Sequence, residues 1–391
     1  MSDVQPGRCA NKTTAAAVLG EFFFNAKTQH ENLGDAIISR ELLNLLDDYG
    51  IIHVLAQNDT PEDFLELIEA HRRTCYQSPF QFIATLITKA FKSLWNRSFN
   101  KSKTSVYYVL NPGGFSGDLS SKGVVFQIAL VLIYAFLWVL RVRVVRLGAS
   151  AGPFSPGRAK IERIKSMFMY KNTVRDSLSM NYAKKIGLRH VEFFPDMAFM
   201  LKPITNSRIT GVSLTEPYAV FSFRSESKYL HYDASIETVI QRCIQNISEM
   251  QGLDRVYASQ VSYDRLRNRD LSNTLKNIEG DSYIVDDLAS DDYLRLYRDA
   301  RVVMSNRLHV LLFALRQGIP AFAVVDPQLN PKIVGIYEDL GCDDLIISIT
   351  NPVIPQQLPD PHQFMKRTQE VFDSRSVQAH RDLPTMLNVS T

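Results

Sequence analysis

In the first half of the chain, short apolar runs alternate with longer segments whose apolar positions recur periodically. Short runs such as Ile51 to Ala56 and Val106 to Leu110 are typical of buried strands. Residues 36–50 instead repeat their apolar positions at helical spacing and end at a glycine. A second series of the same kind follows a proline-containing stretch that ends at Pro217. Strands that alternate with helices predict parallel βαβ units, so the sequence predicts two similar α/β halves.

This alternation divides the chain into four parts. We predict a flexible N-terminus (1–13), an N-terminal Rossmann-like domain (14–203), a C-terminal Rossmann-like domain (204–350) and a C-terminal tail (351–391). The tail should hold one helix near residues 362–372. Two doubly wound halves that face each other predict a cleft, which is where ligands of such folds usually bind.

Composition and charge narrow the class of protein. The chain has 391 residues, 45% of them hydrophobic, and a formal net charge of +3, so it can fold around a large core and lacks the basic excess of a nucleic-acid-binding protein. Its four cysteines have no paired spacing, which predicts neither disulfides nor a structural zinc site and favours a reducing compartment. The N-terminus has no uninterrupted apolar core, so we expect no signal peptide. Nucleotide-binding glycine motifs, zinc-protease motifs and the hydrolase nucleophile motif do not occur in the sequence.

One apolar segment leaves several interpretations open. Residues 124–140 contain Gln127 as their one polar residue and are followed by several arginines. A helix of this length spans about 25 Å, less than the roughly 30 Å of a bilayer core. We favour a helix buried between layers of the α/β domain over a helix that lies in or on a membrane, or one that spans it. If the strands that flank the segment share one sheet, the helix cannot cross a bilayer between them.

Three polar or glycine-rich turns in the first half are candidate ligand sites. Asn32, Gly34 and Asp35 precede a helix, where backbone and side chains can meet a ligand, although Asp35 can also be an ordinary N-cap. Gly113 and Gly114 form a predicted strand-to-helix turn whose amides would be open. In a third turn, we expect the neighbouring side chains of residues 175 and 176, an arginine and an aspartate, to pair with each other.

Two arginines and a histidine in the second half point to an anion site. Arg224 follows the first predicted strand of that half, and Arg307, Leu308 and His309 lie at a strand-to-helix junction before a strongly apolar helix. Guanidinium groups and a helix N-terminus suit a small, highly charged anion. The alternative is that Arg307 and His309 brace a surface turn.

The ordered set of these turns resembles the polysaccharide pyruvyltransferase family over roughly residues 20–345. The residues that carry the resemblance are Asn32, Gly34 and Asp35, Gly113 and Gly114, Gly152 and Pro153, Arg175, Asp176 and Ser179, Pro195 and Asp196, Arg224, Ser305, Arg307, Leu308 and His309, Gly318 and Pro320, and Lys332.

The resemblance implies a fold, a reaction and a set of site residues. The fold would be two Rossmann-like domains facing a cleft, similar to B-type glycosyltransferases. The donor would be phosphoenolpyruvate, with no further cofactor and no metal, and the product a pyruvyl ketal on two hydroxyls of a sugar or lipid-linked glycan. Arg224, Arg307, Leu308 and His309 would bind the donor, with His309 as acid or phosphate partner. The acceptor side would comprise Asn32, Gly34, Asp35, Gly113 and Gly114, with Asp35 as base or acceptor ligand.

Two other functions stay open on the sequence. One is a glycosyltransferase of the same fold that uses a sugar nucleotide, and the other is a non-catalytic binding protein that docks on a membrane through residues 124–140. We expect a cytoplasmic location at the inner face of a membrane, and the sequence does not indicate an oligomeric state.

Overall fold

The computed structural model describes residues 20–99, 104–115, 117, 120–204, 214, 217–224, 234–286 and 288–388. Its strands are β1 (Gly20–Asn25), β2 (Gly50–Leu55), β3 (Thr74–Tyr76), β4 (Ser105–Val109), β5 (Gly113–Phe115), β6 (Arg143–Ala151), β7 (Lys171–Val174), β8 (Val191–Phe193), β9 (Tyr218–Ser222), β10 (Asp254–Ser259), β11 (Ser282–Asp286), β12 (Val302–Ser305), β13 (Ala321–Val325) and β14 (Ile346–Ser348). Its helices are α1 (Leu33–Asp47), α2 (Glu62–Leu67), α3 (Pro79–Ser98), α4 (Ser121–Val139), α5 (Pro156–Met167), α6 (Ser177–Lys185), α7 (Ala234–Gln251), α8 (Arg265–Thr274), α9 (Ser290–Asp299), α10 (Leu308–Arg316), α11 (Pro331–Asp339) and α12 (Pro361–Leu387).

The described strands form two sheets whose pairings are parallel. The first sheet has the order β3-β2-β1-β4-β6-β7-β8, with β5 paired to β6, and the second has the order β11-β10-β9-β12-β13-β14. Parallel strands need crossovers, which the alternating helices supply. Counted within the second half, its order is 3-2-1-4-5-6, the doubly wound arrangement. The predicted α/β fold with two Rossmann-like sheets is confirmed.

The predicted N-terminal segment 1–13 lies outside the described residues, and so does most of the predicted boundary stretch after residue 204. Sequence patterns located the central strands to within a few residues, because each is a short apolar run bounded by polar turns. Strands β1 and β9, in the middle of the two sheets, are buried along nearly their whole length.

Helix α4 occupies the apolar segment of the sequence, and the favoured interpretation of it was wrong. It is not buried between layers, because its partners α5 and β6 cover a single side of it. Tyr134 and Leu137 face that side and are buried, whereas Leu132 and Trp138 are 67% and 61% exposed. Strands β4 and β6 pair directly, so α4 returns the chain to the same sheet. Among the described residues, none of the helices combines the length and the apolar character that a membrane crossing requires.

The C-terminal helix is longer than the sequence indicated and joins the two halves. We predicted a short helix near residues 362–372, but α12 runs through residue 387. The ring of Phe372 contacts Phe199, and the carbonyl of Leu387 accepts hydrogen bonds from Tyr107 and Arg143 of the first sheet at 2.5 and 2.7 Å. Asp373 pairs at 2.7 Å with Arg316 of α10, so the tail contacts the second half as well as the first.

Candidate active site

The two arginines singled out in the second half lie at the carboxyl edge of the second sheet, where the strand order reverses. Strands β9 and β12 are neighbours there, and Arg224 and Arg307 follow their ends. The backbone N–H of Arg224 donates to Asn306 Oδ1 at 2.8 Å, and the hydroxyl of Ser305 donates to the carbonyl of Ser222 at 2.5 Å. These bonds tie the two loops together. The crevice at such a reversal point is the usual ligand site of an open α/β sheet.

Arg307 is held by a buried carboxylate that the sequence analysis missed. Its Nε donates to Asp264 Oδ2 at 2.5 Å, its Nη2 pairs with the same oxygen, and its guanidinium lies 5.5 Å from the ring centre of Tyr263. No hydrogen-bond partner of Nη1 occurs among the described residues. Asp264 therefore fixes one edge of the guanidinium and leaves the other edge for a ligand.

Helix α10 adds its N-terminus to this edge. Arg307 is the N-cap residue, but its side chain makes no capping bond. In the described part of the chain, no backbone acceptor pairs with the amides of Leu308 and His309. Unpaired first-turn amides and the helix dipole favour an anion at this position. The Leu308 side chain itself is buried in the core, so its backbone amide is the group that it offers to the cleft.

His309 lies where the two halves of the chain meet. Its Nε2 lies 3.9 Å from Asp196 Oδ2, which is ion-pair distance but too long for a hydrogen bond. Its ring also packs against α1: a Cβ added at Gly34 would lie 2.8 Å from both His309 Cβ and His309 Nδ1. The absence of a side chain at Gly34 thus makes room for the imidazole.

Asp196 belongs to a fully buried charge network. Arg175 pairs with it, and the N–H of Ala198 donates to its Oδ1 at 2.7 Å. Burial alone would raise the pKa of Asp196, but Arg175, His309 and the Ala198 amide outweigh burial and lower that pKa to about 2. Asp196 is therefore an anion beside the imidazole at any physiological pH.

The expected pairing of Arg175 with Asp176 was wrong. Arg175 pairs with Asp196 instead, and the Ser150 hydroxyl links it to Asp176 by accepting from Arg175 Nε at 2.7 Å. Asp176 is the N-cap of α6 and accepts from the N–H of Ser179 at 2.6 Å and from the Ser150 hydroxyl at 2.8 Å.

Lys332 adds a further cation to the cleft. It lies at the start of α11 with an exposed side chain. Neighbouring protein that displaces water and the charges of Arg175, Arg224 and Arg307 lower the pKa of Lys332 to about 8, although Asp35 acts in the opposite direction. The ammonium has no hydrogen-bond or ion-pair partner among the described residues.

The acceptor-side residues predicted from the first half divide into two groups. Asn32 is the N-cap of α1, with Oδ1 accepting from the Gly34 N–H at 3.1 Å, so Asp35 is not the N-cap. Asp35 lies in the first turn of α1, half-buried and close enough to Lys332 to affect its pKa. Asn32, Gly34 and Asp35 thus share the cleft with the arginines.

The glycine turn of the first half differs from the expectation. Gly113 and Gly114 form a short strand, β5, that pairs with Ala149 and Ser150 of β6. Their backbone groups contribute to the sheet, so the prediction of a turn with open amides was wrong. Gly113 has a φ of +108°, which a residue with a side chain rarely adopts, and this conformation lets the chain turn out of β4.

A cavity of about 460 Å³ opens beside the Arg307 loop and is lined by both halves. His30 and Phe64 line it from the first half, and Gln260 and Arg265 line it from the second. Gln29 Nε2 donates to the hydroxyl of Tyr263 at 3.0 Å and closes one side. Its mixture of polar groups and aromatic rings suits a sugar. Among the described residues, no group of three or more histidines, cysteines or acids is arranged to hold a metal ion.

Comparison with known structures first defines the class of protein. A UDP-GlcNAc 2-epimerase from Methanocaldococcus jannaschii aligns over 94% of this chain and 99% of its own, with 11% identity and a TM-score of 0.53. The UDP complex of MnaA from S. aureus aligns over 95% and 91%, with 10% identity and a TM-score of 0.52. An O-GlcNAc transferase from Thermobaculum terrenum aligns over 95% and 66%, with 10% identity and a TM-score of 0.50. The chain therefore has a fold like that of B-type glycosyltransferases.

The family follows from the sequence. The model of the polysaccharide pyruvyl transferase family matches residues 32–326, a span that includes the α1 turn and the Arg307 loop, and the chain belongs to this family of transferases. No curated protein matches the chain significantly in sequence.

Proposed function

We propose that this transferase uses phosphoenolpyruvate as its donor and forms a pyruvyl ketal on two hydroxyls of a sugar in a polysaccharide or glycan precursor, with release of phosphate. The single observation that carries the proposal is the cation cluster of Arg224, Arg307 and Lys332 beside the N-terminus of α10. Phosphoenolpyruvate carries a carboxylate and a phosphate on three carbons. Such a compact anion needs several charged partners when it leaves water, and planar guanidinium groups suit both of its ends.

The reaction moves three protons. One goes to the donor and one leaves each of the two hydroxyls; of these two, one replaces the proton given to the donor and the other leaves with phosphate. A proton must reach the methylene carbon of the donor, one sugar hydroxyl then attacks the cationic carbon, and phosphate leaves as the second hydroxyl closes the ketal. We assign proton delivery to His309, whose imidazole lies in the first turn of α10 with its Nε2 3.9 Å from Asp196 Oδ2. We assign removal of the hydroxyl proton to Asp35, on the opposite wall of the cleft. Atoms and electrons balance without an oxidant, a reductant or a cofactor.

The acceptor is a sugar or a lipid-linked glycan in this proposal. The cavity lined by His30, Phe64 and Gln260 supports it, because the cavity lies beside the Arg307 loop and offers polar groups next to an aromatic face. Its volume of about 460 Å³ suits a sugar unit and not a whole polymer, so the remainder of the acceptor would extend into solvent.

We also propose that the reaction takes place in the cytoplasm at the inner face of a membrane, with peripheral contact through residues 124–140. The exposed apolar side of α4 supports this contact, as do the free thiols of Cys75, Cys243 and Cys342, which suit a reducing compartment.

A sugar-nucleotide donor is the second candidate. One observation favours it, namely that structures with the same fold include MnaA with bound UDP. Purified enzyme would be incubated with phosphoenolpyruvate and a panel of glycan acceptors, and phosphate release would be measured beside the same reaction with UDP-GlcNAc. Phosphate release that depends on the acceptor supports pyruvyl transfer. Acceptor-dependent UDP release without phosphate release would show that the donor is a sugar nucleotide.

A further inference from the structure

Helices α3 and α4 expose many large apolar side chains to solvent. Exposed large apolar side chains on α4 include Val125, Phe126, Leu132, Phe136, Trp138 and Val139. Those on α3 include Phe80, Ile83, Phe91 and Trp95. The two helices share one hydrophobic cluster with the first sheet, in which Phe82, Leu86 and Tyr134 are the buried members. We call the exposed side of α3 and α4 the apolar face. Grouped exposed apolar side chains of this kind mark an interaction surface.

A groove lies at the C-terminal ends of these helices. Its volume is about 770 Å³, and its apolar lining comes from Trp138 and Val139 of α4 and from Met167 and Phe168 at the end of α5. Its polar lining is cationic and includes the side chains of Arg97, Arg141 and Arg143. The groove thus combines hydrocarbon and positive charge at one end of the apolar face.

The three arginines of the groove have no acidic partner. In the described part of the chain, no carboxylate lies within ion-pair distance of Arg97, Arg141 or Arg143. Burial lowers the pKa of Arg97, and the charges of Arg143 and Arg141 lower it further, which places the three cations close together. Arg143 is also fixed in place, with its guanidinium carbon 4.5 Å from the ring centre of Tyr170. An anion that binds among the three guanidinium groups reduces the electrostatic repulsion between them, so the cluster favours anion binding.

We propose that this groove binds the phosphate of an anionic membrane phospholipid, with the apolar face of α3 and α4 immersed in the adjoining layer of acyl chains. The inference rests on the proposed membrane contact of residues 124–140 and adds a headgroup site and a second helix to it. It does not depend on pyruvyl transfer.

Charge complementarity and residue type favour a lipid over a protein partner. An anionic amphiphile matches arginines at one end of a broad apolar face, because its head and its tails need both kinds of surface side by side. Both tryptophans of the chain, Trp95 and Trp138, lie on this face, and tryptophan is enriched where protein meets the headgroup region of a bilayer. A second copy of the chain would need an acidic patch to match the arginines.

The experiment is flotation of the full chain with vesicles of phosphatidylcholine, alone or with 30% phosphatidylglycerol. We expect binding to the anionic vesicles, a shift of tryptophan emission to shorter wavelength, and weaker binding at high salt. Arg97→Gln with Arg141→Gln should reduce binding about tenfold or more, since each cation near an anionic surface contributes. The control is Arg72→Gln with Arg381→Gln, two exposed arginines that do not line the groove. Leu132→Asn with Phe136→Asn tests the apolar face at exposed positions that should not affect folding.

Three results would overturn the inference. They are equal binding to vesicles without phosphatidylglycerol, unchanged binding of the groove variant, and loss of vesicle binding in the presence of millimolar inorganic phosphate, which would make free phosphate the ligand. Phosphate release from phosphoenolpyruvate with a water-soluble acceptor is measured separately, without vesicles. If the wild type releases phosphate but does not bind vesicles, the lipid site alone is rejected. If it binds vesicles but releases no phosphate, pyruvyl transfer alone is rejected.

Discussion

His309 Nε2 and Asp196 Oδ2 lie 3.9 Å apart, although 113 residues separate them in the chain and they come from opposite halves of the molecule. Asp196 is fixed by Arg175 and by its own 3₁₀ turn, so it is a buried anion that does not move with the cleft. A fixed carboxylate beside an imidazole restricts the orientation of the ring. The orientation of His309, the proposed acid, thus depends on Asp196, which belongs to the other half of the chain.

Asp196→Asn should therefore reduce both kcat and stability. Removing the charge leaves Arg175 buried without its partner, which costs about 3 kcal/mol or more in free energy of unfolding. The pKa of Asp196 is lowered on folding, so its stabilisation is present above its ordinary value near 4 and is lost as pH falls toward 2. Urea unfolding between pH 5 and pH 2 should show a steeper loss in the wild type than in the variant. Equal pH dependence of the two proteins would contradict this prediction.

Gly34→Ala should reduce turnover more than stability. The added methyl would lie 2.8 Å from His309 Cβ, so the imidazole must shift, whereas the backbone of Gly34 does not have a positive φ. A displacement of about 1 Å at a catalytic group lowers kcat roughly tenfold to a hundredfold. Gly157→Ala is the matched control, since nothing lies within 4 Å of its added methyl. Steady-state rates and melting temperatures of both variants test the prediction, and an unaltered kcat in Gly34→Ala would refute it.

Donor affinity should fall as pH rises through about 8. The pKa of Lys332 is lowered to about 8, so the empty site loses this positive charge above that pH. A bound trianion favours the protonated amine, and binding above pH 8 should therefore take up a proton. Lys332→Arg should keep its affinity at high pH, and Lys332→Gln should bind weakly at every pH. Titrations of phosphoenolpyruvate from pH 6.5 to 9.5 measure this, and a flat wild-type profile would exclude Lys332 from the donor site.

Asp264→Asn should weaken donor binding without contacting the donor. The carboxylate of Asp264 orients Arg307, and an amide holds a guanidinium less firmly, so we expect roughly tenfold lower affinity. Asp286→Asn is the control, because Asp286 pairs with the exposed Arg269 elsewhere in the second half. Equal affinities of the two variants would show that Asp264 has no positioning role.

The sequence correctly predicted that Arg224 and Arg307 lie close together, and the reason is their position at the ends of neighbouring strands. Arg224 and Arg307 each follow an apolar run that forms a buried parallel strand, and the carboxyl ends of parallel strands meet at one edge. Asp264 ends the short 3₁₀ turn that follows β10, so the same reasoning could have found it. Lys332 and Asp196 entered through the resemblance to a family and not through any local pattern. Their roles depend on loops whose packing no local periodicity specifies.

The errors have equally specific causes. The apolar pattern of α4 indicates a helix that avoids water, but it does not say whether a second protein layer covers it. Gly113 and Gly114 look like a turn because β-propensity is low for glycine, although strand pairing with β6 holds them extended. The partner of Arg175 lies 21 residues away in a segment whose position depends on the whole first sheet.

The central claim is that Arg224 and Arg307 bind the two anionic ends of phosphoenolpyruvate. The most direct measurement is calorimetric titration of phosphoenolpyruvate into the wild type, Arg224→Ala, Arg307→Ala and Arg307→Lys, with Arg269→Ala as a control arginine 55% exposed outside the cleft. Loss of a charge-assisted bond costs about 1.5 to 3 kcal/mol, so we predict roughly ten- to a hundredfold weaker binding in both alanine variants and partial recovery with lysine. Unchanged donor affinity in both alanine variants, with the proteins still folded, would contradict the account and favour a sugar-nucleotide donor.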